Sequence, residues 1–311
     1  MIITVTLNPS IDKAYFVDEQ IALGKVMRVK KVINTAGGKG VNVAKIINLC
    51  GENVLATGLI GGFNGKYLKS LLCKERINNR FLTVKVETRS CINVINDSNF
   101  STEFLESGDC ISKKEETSFL RFFEKISKRS SIVTISGSAI KGFSDDIYCK
   151  LINIAKHRKN KVILDTSGVL LSNSINAKPT VLKPNKQELE QLFNTKIHGI
   201  EDAKKYSFIL NDKGIDYVVT SLGKDGALLT TKEGVALHAT PPTLQIINTV
   251  GCGDSLVGAF AVGLKRNLSI VDTLKYAVAV ASANALTENT GNFDKDKLSD
   301  VLSKVTVKNI N

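Results

Sequence analysis

Short runs of β-branched residues alternate with amphipathic stretches along most of the chain. Each run ends at a turn-forming residue, as in IITVTL, NVLATGLIG, SIVTISG, KVILDTSG, TVLKPN and YVVTSLG. Between them lie segments with apolar residues at helical spacing, including KGVNVAKIINLCG, DDIYCKLINIAKHRKN and NKQELEQLF. Because continuously apolar strands are typical of a sheet buried on both sides, this alternation predicts an α/β fold with a mainly parallel central sheet and helices on both faces.

Two regions break this alternation. Residues 12–35 and 81–107 contain alternating apolar and polar positions, in AYFVDE, VMRVKKVI and FLTVKVETRSCINVIN, without a following helix. We expect antiparallel strands that form a small separate sheet. This sheet could be a lid over a site on the main sheet or a surface meander without that role. No repeat or low-complexity linker divides the chain, so we expect one domain over residues 1–311 with the small sheet embedded in it.

Composition and charge narrow the function classes. The chain has 311 residues, 43% of them hydrophobic, and contains no apolar run as long as a membrane span. Its first residues, MIITVTLNPSID, predict a strand rather than a basic leader, so we expect a cytoplasmic protein. The six cysteines form no C-x-x-C pair, which favours free thiols over structural zinc or disulfides.

The net charge of +12 indicates affinity for anions. The lysines are spread along the chain without a dense basic tract, and only 6% of residues are aromatic, which disfavours nucleic acid as a partner. Phosphorylated small molecules would also be attracted by this charge. A lysine-rich solvated surface is the simplest alternative.

The segment NTVGCGDSLVGAF, residues 248–260, carries the clearest chemical signal. Gly251 and Gly253 at the start of a predicted helix allow successive amides to form an anion-binding nest at the helix N-terminus. Asp254 follows directly, and its carboxylate has two interpretations. It could cap the helix, or it could be a general base beside a phosphoryl group that is being transferred.

A second glycine-rich turn, TAGGKGVNVAKII, places Lys39 among Gly37, Gly38 and Gly40 just before an amphipathic helix. A lysine in this position is suited to meet an anionic group. The spacing matches neither the Walker A motif nor G-x-G-x-x-G, so it predicts neither a P-loop nor a dinucleotide-binding turn. A glycine-rich turn that binds nothing is the alternative.

Two further segments suggest a nucleotide. In TVLKPNKQELEQL, Asn185 and Glu188 are three residues apart at a helix start, which is the pattern of a capping box. The same pair could instead order water around a magnesium ion that bridges nucleotide phosphates. In VVTSLGKDGALL, Gly223 and Gly226 open a turn between two strands, and a nucleotide could lie against that backbone. Most such hairpins bind nothing.

Taken in order, these segments resemble the PfkB branch of the ribokinase-like carbohydrate kinases over the whole chain. The resemblance rests on TLNPSID, GGKGVNVA, LKPNKQEL, SLGKDGAL and TVGCGDS. TLNPSID and ETRSCINVI look most like the hexose-phosphate kinases of the family, the tagatose-6-phosphate kinases and the 1-phosphofructokinases. TAGGKG, ETRSC and ILDTSG favour the former, whereas NTVGCGDS is comparably similar to the latter. The resemblance implies ATP-dependent phosphorylation of a ketohexose monophosphate. A non-catalytic sugar-phosphate sensor is the alternative from another class.

The resemblance also implies residue roles. Asp254 would be the base, and the small sheet would be the lid of the family, through which relatives often pair as homodimers. The other implied positions form sets that contact different parts of the reactants. The anion hole would use the amides of Gly251, Cys252, Gly253 and Asp254. Sugar hydroxyls would be held by Asp12, Gly38 and Asn42, and the phosphate of the sugar by Lys39 and Arg89. ATP and Mg²⁺ would be bound by Lys183, Asn185, Glu188, Ser221, Gly223 and Gly226, with the ion on Glu188 and, through water, Asn185.

The chain departs from the family pattern at three places. GSAI at 137–140 replaces the usual GSLP loop, which leaves the substrate contacts of that loop open. Cys252 occupies a position that is commonly Ala or Ser, and we expect the change to be tolerated because the anion hole uses backbone amides. Asn248 stands where many relatives have an Asp near a monovalent-cation site, so we do not expect activation by potassium.

Overall fold

The computed structural model describes residues 1–18, 20–96 and 101–311. In these residues the strands are β1 (Ile2–Thr6), β2 (Ser10–Val17), β3 (Lys31–Gly37), β4 (Val54–Gly61), β5 (Asn78–Asn79), β6 (Leu82–Val84), β7 (Arg89–Asn96), β8 (Ser101–Leu105), β9 (Ile132–Ser136), β10 (Lys161–Asp165), β11 (Val181–Leu182), β12 (Tyr217–Ser221), β13 (Ala227–Thr231), β14 (Ala236–Thr240) and β15 (Thr306–Asn309). The helices are α1 (Lys39–Leu49), α2 (Gly62–Lys74), α3 (Lys113–Ser127), α4 (Ile147–His157), α5 (Gly168–Ser174), α6 (Lys186–Phe193), α7 (Ile200–Asp212), α8 (Cys252–Lys265), α9 (Ile270–Asn284) and α10 (Lys295–Lys304).

Most strands form one large central sheet. Its order is β15-β14-β13-β12-β11-β10-β9-β1-β4-β5, and β6 also pairs with β4. From β4 to β12 all neighbouring strands are parallel, and β12 to β15 are antiparallel. The predicted mainly parallel sheet is therefore confirmed, and each β-branched run of the sequence forms one of its strands.

Helices cover both faces of this sheet, as the sequence predicts. Successive side chains of a strand point to opposite faces, so Ile2 of β1 belongs to the core that also contains residues of α1, α8 and α9, whereas Ile3 and Val5 belong to the core that contains residues of α3, α4 and α7. All three side chains are fully buried. None of the helices in the described ranges is both long and apolar enough to cross a bilayer.

The small sheet has the order β3-β2-β7-β8. The pairs β2–β3 and β7–β8 are antiparallel, but β2 and β7 are parallel, with Ser10 opposite Arg89. The expectation of a purely antiparallel sheet is thus wrong at its centre. The reason is that β2 follows β1 and β7 follows β6, which run parallel in the central sheet, so both strands leave it in the same direction.

The boundaries predicted for the small sheet also need adjustment. Its first strand begins at Ser10, before residue 12. Within the predicted range 81–107, Leu82–Val84 extends the central sheet instead, because these residues pair with β4 and Val84 is buried there. Residues 19 and 97–100, which belong to the two predicted ranges, lie outside the described residues.

Candidate active site

The candidate site lies at the carboxyl edge of the central sheet. Because β9 to β12 are parallel, their carboxyl ends meet at this edge, which is where open α/β sheets bind ligands. Asp165 is the last residue of β10, Lys183 follows β11, and Ser221 ends β12. Helix α8 brings its first turn to the same place, so the sequence segments around residues 165, 183 and 254 converge.

Asp254 is the third residue of α8, and its carboxylate bonds to a residue of another helix. The N-cap residue is Gly251, and no side chain caps this helix. Instead, Asn42 of α1 donates an N–H from Nδ2 to Asp254 Oδ2 over 2.9 Å, and the aspartate is only 7% exposed. The capping interpretation of Asp254 is therefore not what the structure shows.

Burial raises the pKa of Asp254 to about 7. The negative charge of Asp165 raises it further, whereas the hydrogen bond from Asn42 and the charges of Lys39 and Lys183 lower it. A carboxylate with this pKa is close to half ionised at neutral pH. It can both accept a proton and release it again, which is the property required of a general base.

A second buried carboxylate, Asp165, pairs with both lysines of the site. Its Oδ1 lies 3.0 Å from Lys183 Nζ, and its Oδ2 lies 3.7 Å from Lys39 Nζ. Asp165 is the first cause of a raised pKa at Lys39, so this lysine remains charged. We did not single out Asp165 from the sequence, although its place as the last residue of a buried strand, in VILD, is a usable signal.

The two glycines before Asp254 have different structural reasons. Gly251 has φ of 82°, and an added Cβ would lie 2.6 Å from Thr290 Cγ2. Gly253 has an ordinary helical backbone, and its nearest neighbour would be Lys183 Nζ at 3.9 Å. Gly251 is thus required by the backbone and packing, while Gly253 leaves space between the helix N-terminus and a cation.

The GGKG turn is explained in part by packing. Gly38 has φ of 101°, and a Cβ there would lie 2.9 Å from Thr6 Cγ2. Gly37 lies directly against the carboxylate of Asp12, whose pKa is raised by burial. Ser10 donates its hydroxyl to Asp12 Oδ1 over 2.6 Å. The turn therefore seats α1 on β1 and brings Asp12 to its N-terminus.

Arg89 lies where β7 of the small sheet begins. Its guanidinium donates to two backbone carbonyls, to Asn8 O from Nε at 3.3 Å and Nη2 at 3.1 Å, and to Glu106 O from Nη1 at 2.8 Å. Helix α2 fixes the preceding residues, because Glu87 accepts the backbone N–H of Asn64 over 2.6 Å. Arg89 is thus held in place by the backbone without a carboxylate partner among the residues that the structure describes.

On the side predicted to bind the nucleotide, Asn185 and Glu188 form a capping box, which was the structural alternative to magnesium binding. Asn185 Oδ1 accepts the backbone N–H of Glu188, and Glu188 Oε2 accepts that of Asn185, each over 2.8 Å. This is a complete capping box. Ser221 N donates to Pro184 O over 3.0 Å, which links this helix start to β12. Gly226 has φ of 88° and packs against Ala239 O, whereas Gly223 faces open space.

Comparisons with known proteins agree along the whole chain. Residues 5–297 match the pfkB family carbohydrate kinase model. The chain belongs to the pfkB family of carbohydrate kinases. It is 37% identical over 312 residues to the tagatose-6-phosphate kinase of Staphylococcus epidermidis, covering 99% of each protein.

Among solved structures, phosphofructokinase-2 of Escherichia coli in complex with potassium superposes with a TM-score of 0.91 at 31% identity, covering 97% of this chain and 98% of that one. A Thermotoga maritima protein described as a possible 1-phosphofructokinase superposes with a TM-score of 0.89 at 25% identity over 100% of both chains.

As a pfkB family member, this protein is a sugar-phosphate kinase, a phosphotransferase that acts on a sugar hydroxyl and uses ATP. A kinase is an enzyme, so this protein is not a non-catalytic sugar-phosphate sensor.

The structure brings together two groups of predicted site residues. Asn42 contacts Asp254, and Lys39 and Lys183 lie around Asp165. Within the described parts of the chain, no hydrogen bond or ion pair joins this group to Asp12, Arg89, Asn185, Glu188, Ser221, Gly223 or Gly226.

Proposed function

We propose that this kinase transfers the γ-phosphoryl group of ATP to the free hydroxyl of a ketohexose monophosphate, which yields the bisphosphate. The observation that carries the proposal is Asp254, a buried acid with a pKa of about 7 in the first turn of α8, directly after Gly251, Cys252 and Gly253. Tagatose 6-phosphate is the favoured substrate, and the name of the S. epidermidis relative supports it. Fructose 1-phosphate is the alternative, supported by the T. maritima neighbour.

In this reaction Asp254 removes the proton of the acceptor hydroxyl. The hydroxyl oxygen forms a bond to the γ-phosphorus while the bond from that phosphorus to the β-phosphate oxygen breaks, so ADP leaves and the proton stays on Asp254. The backbone amides of residues 251–254 stabilise the charge that spreads over the transferred group. Lys183 adds positive charge there, because its ammonium lies close to Gly253.

The sugar would be held between α1 and the small sheet, which acts as the lid. Asp12, Gly38 and Asn42 would bind its hydroxyls. Arg89 would bind the phosphate already on the sugar, because its guanidinium is fixed by carbonyls and forms no salt bridge with a carboxylate in the described ranges. Lys39 lies nearer the reacting end, beside Asp165. We therefore give Arg89 the larger share in binding this phosphate.

ATP would lie along Lys183, Asn185, Ser221, Gly223 and Gly226. The residues also fit magnesium, which prefers carboxylate and water oxygens. Glu188 Oε2 is used by the capping box, but Glu188 Oε1 accepts no hydrogen bond within the described ranges, so it can hold the ion or its water. Asn185 would take part through water. When bound, Mg²⁺ would neutralise charge on the nucleotide phosphates.

We also propose that two copies pair through the small sheet. Leu23 and Val26, between β2 and β3, are 98% and 89% exposed, and Phe104 and Leu105 of β8 are more than half exposed. Exposed large apolar side chains on the small sheet and on the loop beside it support pairing through this element. A cytoplasmic location completes the proposal, and the six free thiols are usual in a reducing compartment.

The substrate assignment is tested by coupled ADP release with tagatose 6-phosphate, fructose 1-phosphate and fructose 6-phosphate side by side. We expect kcat/KM to be at least about tenfold higher for tagatose 6-phosphate, since each 1.4 kcal/mol of discrimination corresponds to a factor of ten. A preference for fructose 1-phosphate would establish the alternative. If none of the three releases ADP above the blank rate, the proposed substrate class is wrong.

A further inference from the structure

The loop before the anion hole is tied to the loop after α9 by one buried side chain. Asn284, the last residue of α9, is fully buried. Its Nδ2 donates to Val250 O over 3.1 Å, and its Oδ1 accepts the backbone N–H groups of Gly291 and Asn292 over 3.1 and 3.2 Å. The amide thus satisfies groups from both loops, and both of its ends are used.

A second amide makes a similar connection. Asn248 Nδ2 donates to Glu288 O over 3.0 Å, and Asn248 Oδ1 accepts the backbone N–H of Val250 over 2.9 Å. The backbone N–H of Asn248 also points to this region, since it donates to Ala285 O over 3.2 Å. Two asparagine side chains therefore join residues 248–250 to residues 284–292.

The joined loops contact the reacting groups directly. The Cα of Gly251 faces Thr290 and Gly291, with no room for a Cβ between them. A Cβ on Gly291 would in turn lie 3.3 Å from Cα of Asn42, the residue that donates to Asp254. The position of the loop after α9 thus sets both the amides of the anion hole and the orientation of the base.

This arrangement does not fit a monovalent cation. Potassium is bound by carbonyl oxygens that replace its hydration shell. Here the carbonyl oxygens of Val250 and Glu288 each accept an amide N–H, so a side-chain donor takes one of the two lone pairs of each oxygen and fills the space beside it. The potassium complex of the E. coli neighbour shows that a related kinase binds this ion.

We propose that the side-chain amides of Asn248 and Asn284 hold the anion-hole turn in place of a bound monovalent cation, so that this kinase needs no potassium. Both asparagines are positioning residues, since they act on Gly251 and Asn42 rather than on a substrate. The inference rests on the proposed function for its kinetic readout only. A thermal-stability readout is independent of any substrate.

The first test uses the wild-type protein. Its melting temperature and kcat are measured in potassium, sodium and tetramethylammonium chloride at equal ionic strength. We expect the three melting temperatures to agree within about 1 °C and kcat to agree within about twofold. Differences of this size are smaller than the effect expected from the loss of one hydrogen bond. A potassium-specific rise of several degrees, or a saturable activation of about fivefold or more, overturns the proposal.

The second test replaces the hydrogen bond from Asn248 to Glu288 by a carboxylate that could bind a cation. Asn248→Asp removes the N–H that satisfies Glu288 O and places a carboxylate there. We expect kcat without potassium to fall about tenfold, because the carbonyl of Glu288 loses the hydrogen bond that joins the two loops, and potassium but not sodium to restore it and raise the melting temperature. Asn289→Asp is the matched control, since Asn289 is exposed and no hydrogen bond involving its side chain is seen within the described ranges.

The control should remain insensitive to potassium. An equal response of Asn289→Asp to potassium would show that added charge alone is responsible. An unchanged kcat in Asn248→Asp, without a response to potassium, would show that the hydrogen bonds of Asn248 are unnecessary. Either result overturns the proposal. If Asn248→Asp does not fold, the wild-type salt series still decides, and if no sugar phosphate is turned over, the melting temperatures decide without it.

Discussion

The reacting end of the site and the small sheet are built in opposite ways. Asp165, Lys183 and Asp254 are 1%, 4% and 7% exposed. Asp165 and Lys183 lie at the ends of strands β10 and β11, and Asp254 lies in the first turn of α8. In the small sheet, every described residue of β8 is exposed, and Leu105 is 64% exposed. The groups proposed for the transfer step are thus fixed by the central sheet, while Asp12 and Arg89, two of the groups proposed to hold the sugar phosphate, lie on the small sheet. This difference explains why the reaction class is easier to infer than the substrate.

The substitution with the largest expected effect at the reacting end of the site is Asp254→Asn. We expect kcat to fall by about 10²–10⁴, the usual contribution of a general base, with KM for both substrates little changed. The amide oxygen of the substituted side chain could still accept the hydrogen bond from Asn42, so the site should keep its shape. Asp272→Asn, at an exposed helix start, is the control. Turnover within a few-fold of wild type would remove Asp254 as the base.

The same substitution should stabilise the protein, most of all above pH 7. Because the folded-state pKa of Asp254 is about 7 and its ordinary value is 3.8, the folded protein retains a proton between these pH values that the unfolded chain releases. Stability from this group is therefore lost as pH rises through that window. The Asp254→Asn variant has no carboxyl group to titrate here and escapes this loss, so its melting temperature should exceed that of wild type by more at pH 8 than at pH 5.

Substitutions of Gly251 and Gly253, the two glycines of the proposed anion hole, should separate the effect of backbone strain from the effect on catalysis. Gly251→Ala forces a Cβ at positive φ against Thr290, and we expect unfolding free energy to fall by about 1–3 kcal/mol and kcat by about 10²-fold. Gly253→Ala has space for its methyl group beside Lys183, so kcat should fall without a loss of melting temperature. Equal destabilisation by both would mean that Gly253 is structural.

Arg89→Ala tests whether the small sheet binds the phosphate of the sugar. It removes the charge proposed for the phosphate of the sugar, so KM for the sugar phosphate should rise at least about tenfold, a typical loss for a charge-assisted hydrogen bond, while KM for ATP stays within about twofold. Arg121→Ala, an exposed arginine on α3, is the control. If KM for the sugar phosphate barely moves, another cation holds this phosphate.

The coupling between the two carboxylates gives a smaller effect. Asp165 raises the pKa of Asp254, so Asp165→Asn should move the acidic limb of kcat/KM to lower pH by roughly one unit. Wild-type kcat/KM should rise as pH increases through about 7, because the base must be ionised to act. Asp145→Asn, an exposed carboxylate, should leave the limb unchanged. An unshifted limb in Asp165→Asn would place the titrating group elsewhere.

Sequence patterns were sufficient for the central sheet and for placing Asp254 in the first turn of a helix, because hydrophobic periodicity and glycine spacing indicate which residues are buried and where helices begin. They were insufficient for Asp165, whose importance depends on Lys39 and Lys183, residues far apart in the chain that converge only in the folded sheet. The parallel pairing of β2 with β7 was missed for the same reason. The capping box at Asn185 and Glu188 was foreseen as one of two interpretations, and its hydrogen bonds do not exclude the other.

Cys252→Ala should have the smallest effect, and it tests whether the anion hole is made of backbone alone. The thiol accepts only a weak contact from Asn284 Nδ2 at 3.6 Å, and the same Nδ2 keeps its bond to Val250 O after the change. Alanine is also a better helix former than cysteine at this first helical position. We therefore expect kcat and both KM values within about twofold of wild type, the effect of a weak hydrogen bond at most. A tenfold loss of kcat would show that the side chain itself contributes to the chemistry, and the contrast with Gly251→Ala would then no longer separate backbone from side chain.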